Sequence, residues 1–179
     1  MTTVATSKFD PNNAQNAVEI EKQFAVKAVE QAQTYWNLLE KISPRELRLT
    51  KLDDEIYEHT MKTFPEFEEE GHAKLIRLDE DAMKSKDGKE KWRTFINSYE
   101  KKVKDHNFGS LIRMNCEDEY SETNTIFVTR IQFYAIEIAR NRLGLNDKAH
   151  EIAKEEARKE KEKKEKEAAK AAKKKSKAS

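Results

Sequence analysis

Arg113, Arg130, Glu137, Arg140 and Arg142 are charged side chains set in the most apolar part of a chain that is otherwise 39% charged, with a mean hydropathy of −0.99. Charges in such surroundings must pair or reach water. Glu137 lies three residues before Arg140 and seven after Arg130, so a local ion network is open to them. Arginine's planar fork of donors equally suits bidentate pairing with acidic groups on a partner. The sequence leaves both roles open, and different arginines can take different ones.

No other constellation fits a reaction or a ligand set. Gly71, Gly88, Gly109 and Gly144 stand alone, so there is no phosphate-cradling loop and no dinucleotide fingerprint. His59, His72, His106 and His150 fall at no metal-ligand spacing, and Cys116 has no second cysteine to join it. A GxSxG nucleophile motif is missing. Asp53-Asp54 is a carboxylate pair in sequence only, since helix neighbours point about 100° apart; as acids at a helix start they complement its dipole. Cys116, between Asn115 and Glu117, has no basic neighbour and reads as an inert thiol. The expectation is a binding protein rather than an enzyme, with no metal and no cofactor.

A length of 179 residues predicts one domain with a real core. Lys+Arg of 35 against Asp+Glu of 34 conceals an asymmetry. Residues 151–179 hold twelve basic and seven acidic side chains, net +5, leaving twenty-three and twenty-seven, net −4, in residues 1–150. A single cysteine excludes an internal disulfide and fits a reducing compartment. No window approaches the roughly 20 apolar residues of a membrane span, and the N-terminus has no apolar signal-like region. Cytoplasmic residence without a membrane partner is the expectation.

The elements that must position the arginines follow from periodicity. Residues 1–13 read as a disordered lead, and residues 14–147 as one globular domain. Ala17, Phe24, Ala28, Ala32, Tyr35 and Leu39 mark a long amphipathic helix from Ala14 to Ile42. Ser43-Pro44-Arg45-Glu46 fits a capping box, while Leu47-Arg48-Leu49 fits an extended link, and both stay open. Helices are expected over 51–62, 72–84 and 89–104, with Phe64-Pro65 ending the first and Ser85 to Gly88 forming a turn. Leu111 to Met114 and Thr125 to Val128 read as two short strands. Helix 130–143 is apolar on most of its circumference, so it belongs in mid-core. Its polar strip is Arg130, Tyr134, Glu137 and Asn141. Gly144 suits a left-handed C′ position with Leu145 folding back. The fold class is α+β, mainly helical: several helices around a small antiparallel β pair, plus a charged C-terminal helical extension.

From Lys148 to Ala172, Ile152 is the only large apolar side chain. Glu155/Lys159, Glu160/Lys164 and Glu162/Lys166 sit at i,i+4, so residues 148–179 read as a solvated, lysine-rich single helix with a fraying tip from Lys173. The tip lysines Lys170, Lys173, Lys174, Lys175 and Lys177 act either as a solubilising extension or as a salt-sensitive dock for polyanions, ribosomal RNA being the abundant candidate. No aromatic residue interleaves them, so base stacking is not expected.

Asn107-Phe108-Gly109-Ser110-Leu111-Ile112-Arg113, Asn124-Thr125-Ile126-Phe127, Arg130-Ile131-Gln132-Phe133 and Glu137-Ile138-Ala139-Arg140-Asn141-Arg142 together resemble a eukaryotic family named for a "polysaccharide biosynthesis domain". Its fungal members are chaperones of translation elongation factor 1-alpha. Leu47-Arg48-Leu49-Thr50, Asp53-Asp54-Glu55-Ile56, Phe64-Pro65-Glu66-Phe67, Met83-Lys84-Ser85 and Lys91-Trp92-Arg93 match in the same order. The resemblance spans Phe24 to Asp147. It implies a small ribosome-associated chaperone, acting as a monomer, that binds the nascent GTP-binding domain of elongation factor 1-alpha. The nascent polypeptide-associated complex is the implied recruiter. Asn107, Arg113, Arg130, Gln132 and Arg140 are the candidate client-binding residues. The rival readings are a ribosome- or RNA-associated binding protein without chaperone activity, and an enzyme of polysaccharide metabolism.

Overall fold

A computed structural model describes the backbone from residue 11 to residue 178 and the side chains from residue 21 to residue 178. Helix α1 spans Pro11–Lys41; of the expected disordered lead, residues 1–10 lie outside the described residues, and 11–13 belong to this helix. Its buried side chains, Ala28, Ala32, Tyr35 and Leu39, recur every three or four residues and form one stripe. A 3-10 turn, Pro44–Glu46, follows without a side-chain cap from Ser43, and Leu47 is extended, so the capping box does not form and the extended link does.

Helix α2, Asp53–Thr63, starts two residues later than the pattern predicts. The reason is Asp53, whose carboxylate turns back to accept from the backbone N–H groups of Leu49 and Thr50 and holds the preceding loop. The expected helix over 72–84 divides into α3, Ala73–Ile76, and α4, Glu80–Lys84. Between them the backbone extends: Arg77 bridges Asn115, and the Leu78 N–H donates to the Met114 carbonyl. Asp79 then caps α4 through the Ala82 N–H. Ser85 is likewise a cap rather than a turn residue. Its hydroxyl accepts from Gly88 and opens α5, Lys86–Asn97, which ends short of the expected Lys104.

Strands β1, Gly109–Arg113, and β2, Thr125–Thr129, pair antiparallel with Gly109 opposite Thr129 and Arg113 opposite Thr125. Helix α6, Arg130–Arg142, leaves β2 without a loop. Thr129 accepts from Gln132 N–H while the Gln132 amide accepts from Thr129 N–H, a capping box at the strand-to-helix joint. We expect Thr129→Ala to lower stability by about 1 kcal/mol in urea unfolding, since it removes half of that exchange. At the other end the Leu145 N–H donates to the Arg140 carbonyl, and Gly144 has φ +76°, which completes a Schellman motif. Helix α6 packs against α2, α3, α5, both strands and the 3-10 turn, so it is the centre of the domain. The resulting architecture is mainly helical α+β around one two-stranded antiparallel sheet.

Helix α7, Asp147–Ala178, corrects the expected domain edge in two ways. Its first turns are not solvated: Ala149 and Ala153 are buried against α1. The His150 Nδ1–H donates to the Leu39 carbonyl, and the Trp36 indole N–H donates to Glu156 at 3.2 Å, so the two helices run antiparallel. Alanine hides such packing from a search for large apolar side chains, because its value lies in close backbone approach. Nor does the helix fray at Lys173, since the alanines and lysines of the tip are strong helix formers. Among the described residues no helix is long and apolar enough to cross a membrane.

Candidate functional site

The arginines divide cleanly. Arg113 and Arg140 have no solvent exposure and converge on Glu137, which is equally buried. Arg140 donates from Nη1 to Glu137 Oε1 at 2.8 Å, and Arg113 from Nη2 to Glu137 Oε2 at 3.4 Å. The same carboxylate accepts from the Tyr35 hydroxyl at 2.6 Å and from the Asn146 amide at 2.9 Å. Two guanidiniums against one carboxylate leave a net positive charge in the core. Five backbone carbonyls offset it: Cys116 and Asp118 for Arg113, and Leu75, Arg113 and Met114 for Arg140. The Arg113 guanidinium also lies over both the Trp36 and Tyr120 rings, 5.6 and 5.7 Å from their centroids. Burial pushes the Glu137 carboxyl up, but Arg113, Arg140 and the Tyr35 hydrogen bond outweigh it and hold the group below its ordinary range. These two arginines clamp α6, the β1 end and the α3 turn together, and neither offers donors to a partner. Asn141 and Asn146 finish the network through their amides.

The remaining candidates lie elsewhere. Arg130 donates to Ser110 and Asp105 and is half-buried beside the start of β1. Gln132 serves the capping box. Arg142 pairs with Asp54 and rests over the Tyr57 ring, which accounts for one member of the Asp53-Asp54 pair, as Asp53 caps the loop before α2. Cys116 is buried against the Leu145 carbonyl, and burial pushes its thiol up, consistent with an inert group. Among the described residues no group of His, Cys, Asp or Glu could hold a metal ion.

Of the five expected client-binding residues only Asn107 is exposed, and it stands in a setting the sequence did not reveal. It borders a shallow groove of about 540 Å³ with Phe24, Ala25, Phe108 and Phe127. The three phenylalanines are 54%, 56% and 64% exposed, although aromatic side chains of this size are ordinarily covered. Phe127 lies against Gly109, where a Cβ would overlap its ring at 2.1 Å, so the glycine gives the ring its place. The signal that locates it is strand alternation: Ile126 and Val128 turn inward, so Phe127 must turn outward. Arg130 supports this edge from beneath, its backbone N–H donating to the Phe108 carbonyl.

On α7, Lys170, Lys173, Lys174, Lys175 and Lys177 are all exposed. The spacing of Lys170, Lys173, Lys174 and Lys177 places those four on one helix face.

Comparison with known proteins places the chain. A "Protein PBDC1 homolog" of Schizosaccharomyces pombe is 58% identical over 142 residues, covering 79% of this chain and 95% of the relative. One of Saccharomyces cerevisiae is 52% identical over 141 residues, with the same coverage of each. "Protein PBDC1" of Mus musculus is 42% identical over 136 residues, 76% of this chain and 66% of the relative. The solution NMR structure of protein yst0336 from Saccharomyces cerevisiae superposes with a TM-score of 0.69 at 50% identity, covering 79% of this chain and 96% of that one. Residues 20–151 match the family described as "PBDC1 protein", a span that takes in the core clamp, the phenylalanine groove and the first turn of α7, and the chain belongs to that family.

Proposed function

We propose that this chain is a dedicated chaperone that binds the nascent GTP-binding domain of translation elongation factor 1-alpha and shields it until it folds. The client follows from the family resemblance. The observation that carries a binding role is the exposed cluster of Phe24, Phe108 and Phe127 around Asn107. Three exposed aromatic rings along one helix–hairpin edge form the kind of apolar patch that a folding intermediate's exposed surface can cover. No catalytic step enters this reading. The protein acts as a single copy in the cytoplasm, at the ribosome, with the nascent polypeptide-associated complex as recruiter.

Affinity capture from a translating lysate tests it. The native chain is expected to recover incomplete elongation factor 1-alpha chains selectively. Phe108→Ser/Phe127→Ser is expected to recover about tenfold less at an unchanged melting temperature, since both rings already face water. Equal recovery by the variant would move the client surface elsewhere, and no enrichment by the native chain would end the chaperone reading. A second reading, a ribosome- or RNA-associated binder, is favoured by the lysine face of α7. Under it, removing residues 159–179 abolishes salt-sensitive co-sedimentation with ribosomes.

A further inference from the structure

Helix α1, the segment joining β1 to β2, and the start of α7 enclose a second groove of about 490 Å³. Its floor is apolar and aromatic: Val29, Ala32, Trp36, Leu111 and Tyr120, with the Trp36 and Tyr120 rings edge to face at 6.0 Å. Its rim carries Glu119, Glu122 and Glu156, and no lysine or arginine lines it. The Arg113 guanidinium, 5.6 and 5.7 Å from the Trp36 and Tyr120 ring centroids, is fully buried and paired with Glu137, so it does not line the groove. Among the described residues no salt bridge engages any of the three glutamates, whereas Glu117, their neighbour in sequence, pairs with Lys148.

Two of these carboxyls come from different elements and line the same groove. Glu156 comes from α7, fixed by the Trp36 indole N–H, and Glu119 comes from the β1–β2 segment, fixed through its backbone carbonyl by the Asn124 amide. The neighbouring Glu119 carboxyl, with burial second, pushes the Glu156 carboxyl up, the response of two acids placed where one positive charge would suit both.

We infer that this groove binds a basic segment of a partner protein, one lysine or arginine head lying between Glu119 and Glu156 and its aliphatic stem, with a flanking apolar side chain, on Trp36 and Tyr120. Long basic side chains have the two-part character the groove offers, an apolar stem and a charged head. Charge complementarity decides the occupant: an acidic segment or a nucleic-acid backbone would meet three carboxylates. The inference does not depend on the identity of any client, because the groove and the phenylalanine cluster have separate lining residues.

The test uses the full chain and a short fluorescein-labelled peptide carrying one lysine and one arginine, each flanked by leucine, with a matched peptide in which glutamine replaces both. Anisotropy is expected to give at least about tenfold tighter binding of the basic peptide, weakening with salt, and NMR to show the Trp36 indole N–H shifting with it. Glu119→Gln/Glu156→Gln is expected to lose that tenfold preference while keeping its melting temperature. Three results overturn the proposal: equal binding of both peptides, unchanged binding by the double variant, or shifts that spare Trp36. So would self-association of the native chain that the double variant abolishes, since the occupant would then be the lysine-rich helix of a second copy.

Discussion

Replacing Glu137 by Gln is expected to destabilise the protein by about 3–5 kcal/mol, the cost of leaving buried guanidiniums without their carboxylate. For a chain of this size that lowers the melting temperature by about 10 °C. Glutamine preserves volume, so the loss reports the missing charge and acceptor oxygen rather than packing. Arg113 and Arg140 are fully buried, and the five carbonyls around them supply partial dipoles only. The same clamp fixes the acid response. The Glu137 carboxyl is held below its ordinary range, so its stabilisation is complete above pH about 4.5 and is lost as pH falls through the lower, folded-state value. Urea unfolding of Glu137→Gln should therefore converge on the native chain at strongly acid pH and diverge from it near neutrality. Arg113→Met/Glu137→Leu/Arg140→Met should recover part of the loss by removing all three charges. Recovery stays incomplete, because the carbonyls lose their donors. A single variant within about 1 kcal/mol of the native chain would show that the network is incidental.

How far the sequence foretold this arrangement depends on the range of the interactions. Helix α6 and its Schellman end at Gly144 rest on contacts within a few residues, and their residue types announce them; the capping box of Thr129 and Gln132 is equally local but was not picked out. The polar strip of α6 was equally legible as a strip, but its burial was not. Glu137 and Asn141 are satisfied by Tyr35, 102 and 106 residues away, and such a partner leaves no local trace. For that reason Arg113 and Arg140 could be read equally well as clamps or as surface donors until their partners were placed. The phenylalanine cluster was missed for the opposite reason. Phe24 shares the spacing of the buried α1 stripe, yet it is exposed and borders the groove with Phe108 and Phe127. Apolar periodicity reports which side chains share a face, not how far along that face the covering element reaches. Phe108 falls between the expected helix 89–104 and the strand from Leu111, where no periodicity marks it, and the fold sets it beside Asn107 and Phe127.

The same limit explains why the place of truncation decides what a tail experiment measures. Deleting residues 148–179 removes Ala149 and Ala153 from the α1 stripe, uncovers the Tyr35 and Leu39 side of that helix, and leaves the Leu39 carbonyl without its His150 donor. A few hundred Å² of apolar surface at about 25 cal/mol per Å² amounts to roughly 5 kcal/mol, so a melting temperature about 10 °C lower is expected. Deleting residues 159–179 removes only exposed side chains, held by pairs such as Lys164 with Glu160. Pairs of this kind contribute about 0.3–0.5 kcal/mol each to the helix and nothing to the body, so a change within about 2 °C is expected. Calorimetry of the two truncations decides the boundary, and equal melting temperatures would show that the α1–α7 contact carries no stability. If the contact does carry it, loss of ribosome or client binding in the longer deletion reports a weakened body as much as a missing lysine face. Only the shorter deletion removes Lys170, Lys173, Lys174, Lys175 and Lys177 while leaving the groove beside Glu156 in place.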